Sequence, residues 1–85
     1  MELPQLFENA VAESKLLPSK PSNETLLLLY SLYKQATEGD APAEGPSNPF
    51  DFVAKAKYNA WVEQKGKTKE AAMQAYIDLV SKLKS

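Results

Sequence analysis

Apolar residues return every three or four positions along most of the chain, which is the spacing of an amphipathic helix. Proline and glycine interrupt this pattern at a few points and separate four helical segments. The predicted helices cover roughly residues 3–16, 22–38, 50–65 and 68–83. No segment alternates between apolar and polar residues as a strand would. The pattern therefore predicts an all-α fold.

Two of these helices have clear start signals. Asn48 can cap the third helix, Pro49 suits its first turn, and Asp51 suits the positive end of the helix dipole. Thr68 can cap the fourth helix. These signals predict that the third helix begins close to residue 50 and the fourth at residue 68.

The lengths of the connections indicate how the helices are arranged. Two or three residues join the third helix to the fourth, which predicts antiparallel neighbours. About ten residues join the second helix to the third, enough to cross the molecule and start the third helix parallel to the second. We therefore predict a single domain over residues 1–85, a four-helix bundle with a long overhand connection between helices 2 and 3.

The second helix is more apolar than one core contact requires. One arc, sufficient for a core, contains Leu28, Leu29, Leu32 and Ala36. A second arc contains Leu26, Leu27, Tyr30, Tyr33 and Lys34. The polar wedge contains Ser31, Gln35 and Glu38. With 3.6 residues per turn, the two apolar arcs together cover about 260° of the helix circumference. Another helix or a ligand must therefore cover the second arc.

The third helix has a lysine within its apolar stripe. That stripe contains Phe50, Val53, Ala54, Ala60 and Trp61, of which we expect Phe50 and Trp61 to lie in the core. Lys57 lies in the middle of the stripe, where a lysine normally extends its ammonium group towards water. Lys34 also lies beside an apolar arc with tyrosines next to it, so the alternative is an anion held by two lysines among aromatic rings.

Composition narrows the function. The net charge is −1, all ten cations are lysine, and arginine, cysteine and histidine are absent. Disulfides, thiol or imidazole catalysis and the common zinc sites are therefore excluded, and we predict no enzyme, no catalytic residues and no metal. The lack of arginine argues against sequence-specific DNA binding. The N-terminus carries no basic segment before an apolar stretch, so we expect a cytoplasmic protein.

Three stretches carry a family resemblance. They are YSLYKQATEGD at 30–40, KAKYNAW at 55–61 and KGKTKEAAMQAYI at 65–77. In this order and separation they resemble the signature blocks of the acyl-CoA-binding protein family. The resemblance implies a four-helix bundle with a long loop between helices 2 and 3. It also implies reversible binding of medium- to long-chain fatty acyl-CoA esters, as an intracellular carrier with no cofactor.

The resemblance also implies roles for individual residues. Tyr30, Lys34 and Lys57 match positions around the adenine and 3′-phosphate, and Tyr33 matches one that faces the CoA and acyl site. Tyr76 matches a position near the nucleotide. The remaining matches are Lys15 near the CoA head and, lining the groove, Phe7, Ala10, Leu26 and Leu27.

Three departures from the family pattern concern the charged end of the ligand. Val53 stands where relatives have a lysine, Gly45 stands where many have a loop arginine, and the loop is slightly longer. We expect binding to be retained but weaker, because each exposed ionic contact contributes about 1 kcal/mol or less.

Other functions remain open at this point. A helical protein-interaction module would cover the second arc of helix 2 with a partner helix. Single-stranded nucleic-acid binding would use tyrosine and lysine, but the net charge argues against it. An acyl-CoA hydrolase would need a nucleophile paired with a base, and the sequence offers no such pair. The family implies a monomer, with a transient contact to a membrane or to an enzyme that uses acyl-CoA.

Overall fold

The computed structural model describes residues 2–84 and has four helices. They are α1 (Leu3–Ser14), α2 (Asn23–Glu38), α3 (Phe52–Val62) and α4 (Lys69–Lys84). Each lies within about two residues of its predicted position, the usual uncertainty at helix ends, except α3. The all-α prediction is confirmed.

Side-chain caps begin α2 and α4. The Thr25 backbone N–H donates to Ser22 Oγ at 3.2 Å at the start of α2. The Ala71 backbone N–H donates to Thr68 Oγ1 at 3.0 Å at the start of α4. The predicted cap of the fourth helix is therefore confirmed, and in both helices the hydroxyl satisfies a donor that has no partner within the helix.

The predicted start of α3 is wrong. Asn48 Oδ1 accepts from the Phe50 backbone N–H at 2.9 Å and so closes a turn that lies before the helix, with Pro49 in it. The cap is Asp51, whose Oδ1 accepts from the Ala54 backbone N–H at 3.0 Å. Two residues with the same capping chemistry compete here, and the one closer to the helix provides the cap.

Two helices also end earlier than predicted. After Ser14 in α1 and after Val62 in α3, the following backbone N–H groups include donors to carbonyls three residues back rather than four. This tighter pattern is common in the last turn of a helix and satisfies its final carbonyls.

α2 lies at the centre of the molecule. It packs against α3 on one side and α4 on the other, and α1 packs against α4. Within the described residues α3 and α4 do not pack against each other, so the predicted antiparallel pairing is wrong. The connection is also longer than the predicted two or three residues, because α3 ends at Val62 and α4 begins at Lys69, and residues 63–68 join them. Hydrogen bonds attach this connection to the end of α2. The Gly66 backbone N–H donates to Asp40 Oδ1 at 3.0 Å, and Gln35 Nε2 donates to the Lys67 carbonyl at 2.8 Å.

Contacts between α2 and α3 advance in the same direction along both helices. Lys57 lies over the Tyr30 ring, and one turn later Lys34 lies over the Trp61 ring. Trp61 Nε1 then donates to the Gly39 carbonyl at 2.8 Å, just past the end of α2. The two helices are therefore parallel, as predicted, and the long connection between them crosses the molecule.

The core is formed by α1, α2 and α4. Its buried residues are Phe7, Ala10, Leu29, Leu32, Ala36, Ala72, Tyr76 and Val80. Trp61 of α3 is buried as expected. Phe50 is not, because it precedes the helix and is 80% exposed. Val53, expected on the same apolar stripe, is 66% exposed.

The predicted polar wedge of α2 is largely buried. Ser31 and Gln35 are both fully buried, although they were expected to face water with Glu38. Each has a polar partner, since Gln64 Nε2 donates to Ser31 Oγ at 3.3 Å and Gln35 Nε2 donates to Asp40 Oδ1 at 2.8 Å. These bonds offset part of the cost of burying the two side chains, although among the described residues Gln35 Oε1 is buried without a hydrogen-bond partner.

The molecule is flat, with Cα extents of 39 × 28 × 15 Å. Its radius of gyration is 13.1 Å, against about 12 Å for a compact domain of this length. A shape this thin cannot enclose every apolar side chain, so one side of α2 stays open. No helix among residues 2–84 is both long and apolar enough to cross a membrane.

Candidate functional site

The second arc of α2 is not covered by another part of the protein. Leu26 and Tyr33 are exposed by 37% and 40%, and Tyr30 is half-buried. α3 and α1 lie on either side of this arc, so its side chains form the floor of a depression. This is where the helical period predicted an unfilled apolar surface.

Three concavities lie along this side of the molecule. The α2–α3 groove, of about 450 Å³, is lined by Asn23, Leu26, Leu27, Tyr30, Phe52, Val53, Ala56 and Lys57. The central pocket, also of about 450 Å³, is lined by Val11, Ser14, Lys15, Leu26, Leu29, Tyr30, Tyr33 and Tyr76. The α1–α4 groove is lined by Pro4, Phe7, Glu8, Val11, Tyr33, Ala36, Thr37, Lys69 and Met73.

Neighbouring concavities share side chains. The α2–α3 groove and the central pocket share Leu26 and Tyr30. The central pocket and the α1–α4 groove share Val11 and Tyr33. The three concavities therefore adjoin one another, and their sizes are those of ordinary small-molecule sites.

Lys57 and Tyr30 form the polar edge of the α2–α3 groove. Lys57 Nζ lies 5.3 Å from the centre of the Tyr30 ring, where the negative face of the ring attracts the cation. The side chain of Lys57 is exposed, so its donors are open to a ligand. Of the three residues predicted around the adenine and 3′-phosphate, Tyr30 and Lys57 thus lie together at one edge of an apolar groove, and Lys34 does not line it.

Lys34 lies one turn further along α2 and has two partners. Its Nζ is 5.0 Å from the centre of the Trp61 ring. The same Nζ donates to the Glu38 carboxylate, four residues later on the same helix. The hydrogen bond to Glu38 raises the pKa of Lys34, although partial burial acts in the opposite direction. The ammonium group of Lys34 is therefore positively charged, and it is hydrogen-bonded to a carboxylate of the same chain.

Tyr33 and Tyr76 both contact Phe7. The Tyr33 ring stacks on Phe7 with centroids 5.9 Å apart, and the Tyr76 ring meets Phe7 edge-on at 5.2 Å. Tyr76 is buried, and its hydroxyl donates to Ser14 Oγ at 3.1 Å. Tyr33 thus offers the more open ring, while Tyr76 contributes to the core as well as to the wall of the central pocket.

The other predicted site residues are spread around this surface. Lys15 is exposed at the edge of the central pocket, and Leu26 and Leu27 line the α2–α3 groove. Phe7 lines the α1–α4 groove. Ala10 belongs to the buried core, and its assignment to the groove stays a prediction.

Phe52 is a lining residue that sequence reasoning missed. It is 73% exposed and lies in the α2–α3 groove beside Val53. The misplaced start of α3 hid it, because Phe52 is the first residue of the real helix. Its position directly after the Asp51 cap is the signal that could have revealed it.

The long α2–α3 connection is attached to α3 through Tyr58. The Tyr58 hydroxyl donates to the Pro42 carbonyl at 2.5 Å, and its ring packs against Gly45. A Cβ atom at Gly45 would lie 3.1 Å from a ring carbon of Tyr58. This contact is tighter than side chains usually accept, so glycine suits this loop position and a basic side chain there would displace the ring.

The described residues offer no cluster of metal ligands. Among residues 2–84, no group of histidine, cysteine, aspartate or glutamate side chains is placed to hold a metal ion. The chemistry that the arrangement offers is ionic and aromatic at one end and apolar along the rest.

Comparison with known proteins identifies the family. A sequence model described as acyl CoA binding protein matches residues 4–80. The chain belongs to the acyl-CoA-binding protein family. Two curated relatives, acyl-CoA-binding protein homolog 1 of Caenorhabditis elegans and acyl-CoA-binding protein of Saccharomyces cerevisiae, are both 47% identical to it. The alignments cover 91% and 93% of this chain and 88% and 90% of those proteins.

A relative of another kind contains a similar region. Enoyl-CoA delta isomerase 2 of Rattus norvegicus is 53% identical over 81 residues. That alignment covers 95% of this chain but only 20% of the rat protein, so the chain spans about a fifth of that enzyme's length.

Solved structures of this family have the same fold. Acyl-CoA-binding protein 2 of Oryza sativa superposes with a TM-score of 0.88 at 43% identity, covering 96% of this chain and 90% of that one. The ACBP of Moniliophthora perniciosa gives a TM-score of 0.86 at 34% identity, covering 98% and 80%. The predicted four-helix fold is confirmed by both.

Proposed function

We propose that the protein binds fatty acyl-CoA esters reversibly and serves as a carrier that keeps a pool of them in solution. The observation that carries this proposal is the position of Lys57, which rests on the Tyr30 ring at the edge of a long apolar groove. A cation, an aromatic face and an apolar channel on one surface suit a ligand with phosphate groups, an aromatic base and an aliphatic chain.

The charged end of the ligand would lie against Lys34 and Lys57. Phosphate is a good partner for a lysine ammonium group, and the adenine ring can stack on Tyr30. In this proposal Tyr33 faces the CoA and the start of the acyl chain. Lys15 and Tyr76, which both line the central pocket, would contact the CoA head and the nucleotide.

The acyl chain would lie in the apolar part of the surface, on Leu26 and Leu27. Each methylene group removed from water contributes about 0.8 kcal/mol before the cost of ordering the chain is subtracted. The apolar groove would therefore supply most of the affinity, while the lysines and tyrosines select the CoA ester.

The family relatives support binding rather than catalysis. The nematode and yeast proteins, which the chain matches nearly end to end, are named as binding proteins. We also propose that the protein is a cytoplasmic monomer that contacts a membrane or an acyl-CoA-using enzyme only when it delivers its ligand.

Isothermal titration with palmitoyl-CoA tests the proposal, with free CoA and palmitate as controls. We expect one-to-one binding of the ester, and much weaker binding of either half, because only the ester spans both the charged and the apolar parts. Failure of the ester to bind would refute the proposal. A protein partner on the second arc of α2 would then be the remaining explanation, testable by sedimentation at increasing protein concentration.

A further inference from the structure

The contact between Lys34 and Glu38 places an acidic group on a residue assigned to phosphate. Lys34 Nζ donates to Glu38 Oε2, and the side chains are 24% and 52% exposed. The Trp61 ring beside Lys34 is itself fixed by its hydrogen bond to the Gly39 carbonyl. The lysine is therefore held in place, while the more exposed glutamate is the partner that can move away.

Helix stability does not explain this pair. Glu38 is the last residue of α2, where the negative end of the helix dipole disfavours an acid. The order of the pair is also the weaker one, because a lysine that precedes a glutamate by four residues stabilises a helix less than the reverse order. Glutamate at position 38 is thus unfavourable for the helix. Its evident effect is to pair with the positive charge of Lys34.

We propose that Glu38 is an internal competitor for Lys34, which a phosphate group of the ligand must displace before it can bind there. This inference rests on the proposed function. A phosphate monoester carries a charge of about −1.5 to −2 near neutral pH, more than the single charge of a carboxylate. Exchange of Glu38 for phosphate is therefore favourable, whereas exchange for another carboxylate gains nothing.

The consequence is selectivity at some cost in affinity. An anion with a single charge, such as the carboxylate of a free fatty acid, would compete with Glu38 on equal terms and leave Lys34 largely occupied. A CoA ester would displace the glutamate. Glu38 is thus a specificity-determining residue that lowers binding of all anions and lowers it most for those of low charge.

Glu38→Gln tests the inference, because it removes the charge and keeps the size of the side chain. We expect palmitoyl-CoA to bind about two- to fivefold tighter to this variant, the range that an exposed ion pair represents. The gain should be smaller for palmitoyl-(3′-dephospho)-CoA, which lacks the group proposed to contact Lys34. Palmitate should gain at least as much as the full ester, so that discrimination between the two falls.

Glu24→Gln is the matched control. Glu24 is an exposed acid at the other end of α2, and its replacement changes the net charge by the same amount. We expect it to change the affinity less than Glu38→Gln does. In a Lys34→Ala background, Glu38→Gln should lose most of its effect, because the competition acts through Lys34.

The outcomes separate this inference from the proposed function. Wild-type protein that binds palmitoyl-CoA together with an unchanged or weaker Glu38→Gln variant would refute the role of Glu38 alone. Wild-type protein that does not bind the ester would refute the proposed function and this inference with it. Thermal unfolding checks that each variant is folded. Should Glu38→Gln fail to fold, Glu38→Asp, whose shorter side chain reaches Lys34 less well, should bind more tightly than wild type, and no gain would overturn the inference.

Discussion

Lys34 and Lys57 each lie over an aromatic ring between α2 and α3, but they have different neighbours. Lys34 forms an ion pair with Glu38, while Lys57 lies over the Tyr30 ring and is exposed to solvent. The sequence placed both residues beside an apolar arc, because the helical period depends only on residues close together in the chain. The sequence did not show which lysine forms an internal ion pair and which is open to a ligand. That difference depends on the rotamers that the packed helices allow.

The first residue-scale prediction concerns Lys57. Lys57→Ala should weaken palmitoyl-CoA binding by about 1 kcal/mol, or about fivefold, since the contact is exposed. Thermal stability should change little, because Lys57 is exposed and its contact is with one ring face. Titration calorimetry and a thermal melt of the same preparation measure both quantities.

Lys55 provides the matched control for Lys57. It lies two residues earlier on α3, is also exposed, and points to another side of the helix. We expect Lys55→Ala to bind the ester as wild type does. Equal losses in the two variants would mean that general charge, and not a specific contact at Lys57, attracts the ligand.

At the scale of the element, α2 contacts other parts of the protein on two sides and leaves a third side open. Three residues of its predicted core arc, Leu29, Leu32 and Ala36, lie in the core, whereas Leu28 is 41% exposed and its prediction as a core residue is wrong. The buried Gln35 of α2 holds the α3–α4 connection. The sequence indicated the open arc but interpreted Ser31 and Gln35 as exposed. Hydrophobic patterning treats polar residues as solvent-facing, and it contains no information on a partner such as Asp40 or Lys67 that comes from elsewhere in the chain.

A stability prediction follows for Gln35. Its Nε2 donates to Asp40 Oδ1 and to the Lys67 carbonyl, both at 2.8 Å. Hydrogen bonds from the Gly66 N–H and then from Gln35 lower the pKa of Asp40. Gln35→Leu removes both hydrogen bonds, but their acceptors belong to exposed residues and the unpartnered Gln35 Oε1 is lost as well, so the free energy of unfolding should fall by about 1 kcal/mol. Urea denaturation followed by Trp61 fluorescence measures this change.

Gln74→Leu is the comparison for that experiment. Gln74 is exposed on α4 and bonds only locally, to Asp78 four residues later. We expect its replacement to change stability by less than about 0.5 kcal/mol. A Gln35→Leu variant that unfolds at the same urea concentration as wild type would show that the buried hydrogen bonds do not hold the α3–α4 connection to α2.

At the scale of the whole molecule, flatness and function are connected. Because the helices form a thin body, the side of α2 between α1 and α3 remains open, and the apolar surface there continues through three concavities. Phe52 and Val53 extend this surface on α3. The apolar part of the site is thereby enlarged.

Chain length should therefore dominate affinity. Across decanoyl-, dodecanoyl-, myristoyl- and palmitoyl-CoA, each added methylene should contribute up to about 0.8 kcal/mol, less its ordering cost. The gain should end once the chain extends beyond the groove. Titration of the series, with free CoA as the reference, measures the slope. An affinity that does not depend on chain length would place the acyl chain in solvent.

The sequence by itself determined the four helices, the long crossover, the unfilled arc of α2 and most of the residue types around it. These follow from local periodicity, from capping and turn residues, and from motifs that lie within short stretches. Only the tertiary structure decided that α3 and α4 are separated by the packing of α2, that Gln35 is buried, and that Phe50 is exposed. Each of these depends on contacts between distant parts of the chain. The physical reason is that burial is a property of the assembled helices, whereas the helical period is a property of each helix alone.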